Sequence, residues 1–99
     1  MATLIYADEA IADLGRLVDF LAETNLQAAY DTFDVIKDAV SILRRHPLIG
    51  RPVENGLREL VISRGRTGYV ALYDYVEQHD VAMILAIRHQ RELGYTKNH

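Results

Sequence analysis

The chain has no cysteine and no tryptophan, and among its 99 residues there are only two prolines and two lysines. Without cysteine there is no disulfide, no thiolate nucleophile and no thiolate-bound zinc or iron–sulfur centre. The histidines, at 46, 79, 89 and 99, lack metal-ligand spacing, so no metal and no cofactor is expected. No run approaches the roughly 18 apolar residues of a membrane span. The opening MATLIYADEA lacks the basic leader and apolar core of a signal peptide. The expectation is a soluble, unprocessed, cytoplasmic protein with no membrane partner. Internal repeats and low-complexity tracts are also missing. What remains is a composition of 49% hydrophobic and 25% charged residues, near the globular average, over a length that suits one domain spanning 1–99.

Charge is unevenly placed. Residues 1–43 hold two basic and eight acidic side chains, and residues 44–99 hold nine and six, so the halves are −6 and +3 within a net charge of −3. With a pI near 5.7, the whole domain is not the basic body of a typical nucleic-acid binder, and any polyanion contact has to come from a local patch in the second half.

Periodicity gives the order of elements. Thr3-Leu4-Ile5-Tyr6 is a short β-prone run, followed by Asp8 as an expected N-cap and Glu9 in the first helical turn. Across residues 9 to 23, Ile11, Leu14, Leu17, Val18 and Leu21 mark one helical face, with Glu9, Asp13, Arg16, Asp19 and Glu23 on the other. Glu23-Thr24-Asn25 interrupts the period, which restarts at Leu26, Ala29, Phe33, Ile36, Val40 and Leu43. Two consecutive helices make an αα-hairpin, and Pro47 is expected to end the second. The stretch 46–56 carries both prolines and is the long connection. Three β-type runs follow: Leu57 to Ile62, Tyr69 to Val76, and Val81 to Arg88. Short turn-rich connections predict antiparallel hairpins between them. Tyr69, Ala71, Tyr73 and Tyr75 share one face of their run, while Val81 to Ile87 is wholly apolar, as central strands buried on both sides are. The fold class expected is α+β, ordered β-α-α-β-β-β, with the helical hairpin on one face of a small, mainly antiparallel sheet.

A helical hairpin ending in Arg44-Arg45-His46-Pro47-Leu48-Ile49-Gly50-Arg51-Pro52, then Leu57-Arg58-Glu59-Leu60-Val61-Ile62, Tyr69-Val70-Ala71-Leu72-Tyr73 and Val81 to Glu92 with its Arg88-His89-Gln90-Arg91 ending, resembles the RelE/ParE superfamily of toxins from bacterial type II toxin–antitoxin modules. The resemblance covers almost the whole chain. It implies a cytoplasmic toxin held inactive by a cognate antitoxin whose C-terminal segment wraps it. A half-covered sheet suits such an ordering segment, and the acidic helical half suits basic residues on the partner, although an acidic face is more often plain solvated surface.

Two activities exist in that superfamily. The RelE-like one cleaves mRNA on the ribosome and needs a group to activate the ribose 2′-hydroxyl, cations for the developing phosphorane charge and a proton donor. Its candidates here are Arg58, Arg66, Arg88, His89 and Tyr95, with Arg88 and Tyr95 on the family pattern and His89 as acid or base. The ParE-like one poisons DNA gyrase without catalytic groups of its own. Candidate target-binding residues are Arg64, Arg66, Arg88, His89, Arg91 and Tyr95. The acidic pI and the scarcity of lysine, present only as Lys37 and Lys97, favour the ParE-like branch. Plainer readings stand beside these: Arg58 pairing within the fold, Arg64 and Arg66 as solvated turn charges, His89 as a hydrogen-bonded strand-end residue, and Tyr69, Tyr73 and Tyr75 as sheet packing in place of a base-stacking surface.

Overall fold

The computed structural model describes residues 1–62 and 68–89. Within them the chain runs β1 (Thr3–Tyr6), α1 (Asp8–Ala22), α2 (Leu26–Val40), β2 (Arg51–Pro52), β3 (Arg58–Val61), β4 (Tyr69–Val76) and β5 (Val81–His89), with 3₁₀ turns at Ser41–Arg44, Glu54–Gly56 and Glu77–His79. The sheet has five strands in the order β1-β5-β4-β3-β2. Strand β1 pairs in parallel with β5, and the other neighbours are antiparallel. The two wholly apolar or weakly alternating runs therefore take the central places, β5 between β1 and β4, and β4 between β5 and β3. The two-residue β2 was not legible as a strand, since a proline in so short a run is tolerated only at a sheet edge.

Both helices lie against the sheet and share a core with it. Ala10 and Leu17 of α1, Ile36 and Val40 of α2, and Leu43 just beyond it meet Tyr69, Ala71 and Tyr73 of β4 and Ala82, Ile84 and Ile87 of β5. Ala82 and Ile84 are even-numbered and Ile87 is odd, yet all three are fully buried. The register explains this: Tyr73 pairs with Ile84 while Leu72 pairs with Ala86, so Leu85 is an extra residue that transfers the buried side from one parity to the other.

Several boundaries differ from the sequence expectation. Asp8 is the first helical residue and the N-cap is Ala7, which makes no side-chain cap. The Ala7 amide donates to the Ile84 carbonyl at 2.9 Å, so the extended course of β1 persists through Ala7 and the helix can begin only afterwards. Asn25 is the true cap of α2, its side chain accepting from the Ala28 amide at 3.1 Å, an interaction worth about 1 kcal/mol. The α-helix ends at Val40, before Pro47 is reached. Tighter winding over Ser41–Arg44 brings Leu43 into the core and places the Arg44 carbonyl to accept from the Ala2 amide at 2.8 Å. Strand β5 extends one residue further than expected, to His89.

The buried face of α1 is also rotated from the one expected. Ala10, Asp13 and Leu17 are its buried residues, while Ile11 is 56% exposed. Asp13, assigned to the polar side by periodicity, is the only buried charged residue among those described. On α2, Leu26 is likewise 58% exposed, and Ala29, Ile36 and Val40 form the seam.

Candidate functional site

Two side-chain clusters fix the surfaces where the candidate residues sit. The first joins the 46–50 connection to the sheet. The Tyr73 hydroxyl, fully buried, donates to the Pro47 carbonyl at 2.7 Å and accepts from the Gly50 amide at 2.9 Å. Arg58, paired with Tyr73 across β3 and β4, sends Nη1 to the carbonyls of Leu48 at 3.0 Å and Gly50 at 2.8 Å. On β2, Arg51 pairs with Glu59 of β3. Burial pushes the Tyr73 phenol above its usual pKa, against smaller opposing effects of the Gly50 hydrogen bond and the Arg58 charge. Desolvation raises Tyr6 as well, and Tyr75 is raised chiefly by donating its hydroxyl to Asp80 at 2.7 Å.

The folded state thus holds these phenolic protons more tightly than the unfolded chain does. Their contribution is fully present below the unfolded tyrosine value of about 10 and is lost as pH rises beyond it. Thermal unfolding followed between pH 9 and pH 11 should show a falling Tm, and Tyr73→Phe should reduce that fall.

The second cluster stands at the C-terminal end of β5. Strand β1 pairs with β5 only as far as Ile84, so the side of β5 beyond it has no strand partner among the described residues. Helix α1 takes that place. Asp13 Oδ2 accepts from the Ile87 amide at 3.0 Å, and Oδ1 accepts from Arg88 Nη1 at 2.7 Å and from Arg16 Nη2 at 3.4 Å. The Asp13 side chain is 12% exposed and that of Arg88 is 40% exposed. One carboxylate therefore closes a strand edge and holds the strand-end guanidinium. His89, opposite Tyr69 in the register, meets its ring edge-on with centroids 5.3 Å apart.

Of the candidates read from sequence, Arg88 and His89 both end β5 but turn to different partners, Asp13 and Tyr69, and Arg58 lies elsewhere. Arg58 is level with Tyr73 and Arg88 with Val70, which separates their backbones by three residues along the strand and two strands across. At about 3.4 Å per residue and about 4.8 Å per strand, that is about 14 Å. Arg58 is committed to the 46–50 connection. Arg64, Arg66, Arg91 and Tyr95 lie outside the described residues. Asp13 was missed because its neighbours fit an amphipathic pattern without it. The signal was the series Ala10, Asp13, Leu14, Leu17 and Leu21, which is as good a helical stripe as the one starting at Ile11.

Beside the core, Tyr6, Ile11, Leu14, Val18, Tyr30 and Phe33 line an open groove of about 720 Å³. Asp34 and Lys37 are the charged residues in its lining.

The sequence also matches the family described as "ParE toxin of type II toxin-antitoxin system, parDE" over residues 4–94. The chain belongs to the ParE toxin family. It is the toxin type of a type II toxin–antitoxin system. Solved structures of toxin–antitoxin systems are similar to this chain. A chain from the chromosomal ParDE system of P. aeruginosa is similar at 25% identity and a TM-score of 0.74, covering 90% of this chain and 96% of that one. A chain of the RelBE2 toxin–antitoxin complex of Mycobacterium tuberculosis is 27% identical with a TM-score of 0.60, covering 89% and 96%. The E. coli RelBE complex, at 12% identity and a TM-score of 0.63 over 88% and 94%, shares the fold. No curated protein sequence is close enough to count as a relative. As in other members of the wider RelE/ParE group, a helical pair packs on a mostly antiparallel sheet, here of five strands. No helix among the described residues of this ParE chain is long and apolar enough to cross a membrane.

Proposed function

We propose that this ParE-family toxin inhibits DNA gyrase by binding it, and that a cognate antitoxin relieves the inhibition. The observation that supports binding over RNA cleavage is the engagement of both described candidate cations: Arg58 with the Leu48 and Gly50 carbonyls, and Arg88 with Asp13. A phosphorane-stabilising cluster needs uncompensated positive charge converging on one point, and these two guanidinium groups are neither uncompensated together nor close. Arg88 and His89 at the end of β5, with Arg64, Arg66, Arg91 and Tyr95, form the proposed gyrase-binding set. The antitoxin reading rests on the neighbours, which are toxin–antitoxin complexes, and on the apolar groove of α1 and α2, whose exposed Ile11 and Tyr30 an amphipathic partner helix would cover.

The deciding experiment is gyrase supercoiling and DNA cleavage with the purified chain, repeated with the protein encoded beside it. Loss of supercoiling with accumulation of cleaved DNA, reversed by the partner, is the expected result. Unaffected gyrase in the presence of folded protein would overturn the reading, and cuts within codons of ribosome-bound mRNA would replace it with the nuclease.

A further inference from the structure

We propose that Asp13 of α1 is the positioning residue for Arg88: its carboxylate holds the strand-end guanidinium at the rim of β5 as an oriented, half-compensated cation for the target. The inference rests on the gyrase-binding reading of Arg88, and it adds a residue from the acidic half of the chain that no pattern of basic residues would select.

Three observations carry it. Asp13 is the one buried charged residue among those described, and burial of a carboxylate persists only where its acceptor capacity is filled. Filling comes from three donors on two elements: the Ile87 amide, the Arg88 guanidinium and, at longer range, that of Arg16. The Ile87 contact fixes the carboxylate relative to the backbone immediately before Arg88, so the oxygen that receives Arg88 Nη1 at 2.7 Å is anchored to the strand it orients. Finally, 40% of the Arg88 side chain is exposed, and a guanidinium has five N–H donors, of which the Asp13 contact uses one nitrogen. A planar fork held on one side retains donors for a second acceptor on the other, which suits a carboxylate or carbonyl of a protein target.

This arrangement also tempers charge. The Asp13 carboxylate offsets part of the positive charge of the guanidinium groups beside it, which weakens attraction for a bare phosphate chain and leaves directional hydrogen bonding intact.

The test compares the full chain with Asp13→Asn, Arg88→Gln and the double variant. The first readout is independent of gyrase: the side-chain N–H resonances of ¹⁵N-labelled Arg88. A hydrogen-bonded guanidinium signal resolved in the wild type and lost in Asp13→Asn, with a folded backbone spectrum, supports the proposal, and its persistence in Asp13→Asn overturns it. The second readout is the concentration of toxin that halves supercoiling. Asp13→Asn should raise it at least tenfold, and should raise it no further in the Arg88→Gln background. Equal inhibition by Asp13→Asn and wild type, or a further loss in the Arg88→Gln background, overturns the positioning role. If wild type leaves gyrase untouched, the gyrase reading falls and the resonance alone decides the role of Asp13. Should Asp13→Asn fail to fold, Arg88→Lys replaces it, keeping the charge and removing the fork: inhibition weakened at least fivefold supports the proposal, and wild-type inhibition overturns it.

Discussion

Ile84→Ala should lower the free energy of unfolding by about 2–5 kcal/mol, a large share of the roughly 5–15 kcal/mol that holds a domain of this size together. Ile84 is fully buried on the strand that lies between β1 and β4, opposite Tyr73 on one side and Tyr6 on the other. Truncation removes apolar contact with both strands, and neither can move inward without breaking its ladder. Ile87→Ala should cost a similar amount, because the extra residue Leu85 returns position 87 to the buried side. Met83→Ala, at the partly buried position just before Ile84, should cost less than half as much. Urea unfolding followed by circular dichroism measures all three, and a common slope with shifted midpoints would show that the native packing alone has changed. Equal costs at 83 and 84 would contradict the register described here.

Gly50→Ala should be nearly as damaging. An alanine Cβ at that position would lie 2.5 Å from the Tyr73 hydroxyl oxygen and 2.6 Å from Cε1, closer than real contacts allow. Tyr73 is fully buried and has nowhere to withdraw, so the 46–50 connection must lift, releasing the hydrogen bonds from the Gly50 amide and to the Pro47 carbonyl. Overpacking of about 1–3 kcal/mol adds to about 1–3 kcal/mol for a buried group left unpaired. The sum of about 2–6 kcal/mol corresponds to a fall in Tm of at least about 8 °C, at about 4–8 °C per kcal/mol for a domain of this length. Tyr73→Phe isolates the second part: it removes the hydroxyl, leaves the Gly50 amide without its partner and should cost about 1–3 kcal/mol. Combining the two should cost less than their sum, since both release the same hydrogen bonds. Differential scanning calorimetry on the four proteins measures this, and a Gly50→Ala protein as stable as wild type would refute the close approach.

Most of the architecture was legible because it depends on periodicity and turn chemistry. The helical hairpin, the hairpin strands and the central position of the two apolar runs follow from local patterns that a sequence carries openly. Boundaries were less legible where a distant partner sets them. Ala7 displaces Asp8 as the cap because its amide is bonded to β5, and α2 stops short of Pro47 because Leu43 is drawn under the sheet. The functional candidates divide in the same manner. Arg88 and His89 are neighbours in sequence at the end of β5, but consecutive strand positions alternate faces, and Arg88 turns to Asp13 while His89 meets Tyr69. Arg58 belongs with them by residue type alone, and the strand register takes it away.

The sequence by itself determined the α+β class, the order of the elements, the absence of thiol chemistry and the split between an acidic helical half and a basic sheet half. Each of these is a property of composition or of spacing within one segment. Tertiary structure decided which side of α1 is buried, because a helix carrying apolar residues at both Ala10-Leu14-Leu17 and Ile11-Leu14-Val18 has two usable stripes and only the sheet chooses between them. That choice buries Asp13, sets it against the Ile87 amide and the Arg88 guanidinium, and leaves Ile11 and Val18 to line an open groove. An unpaired strand edge needs an acceptor for its amide, and a partly buried arginine needs a counter-charge, so a carboxylate that meets both demands is stable where it would otherwise be expelled.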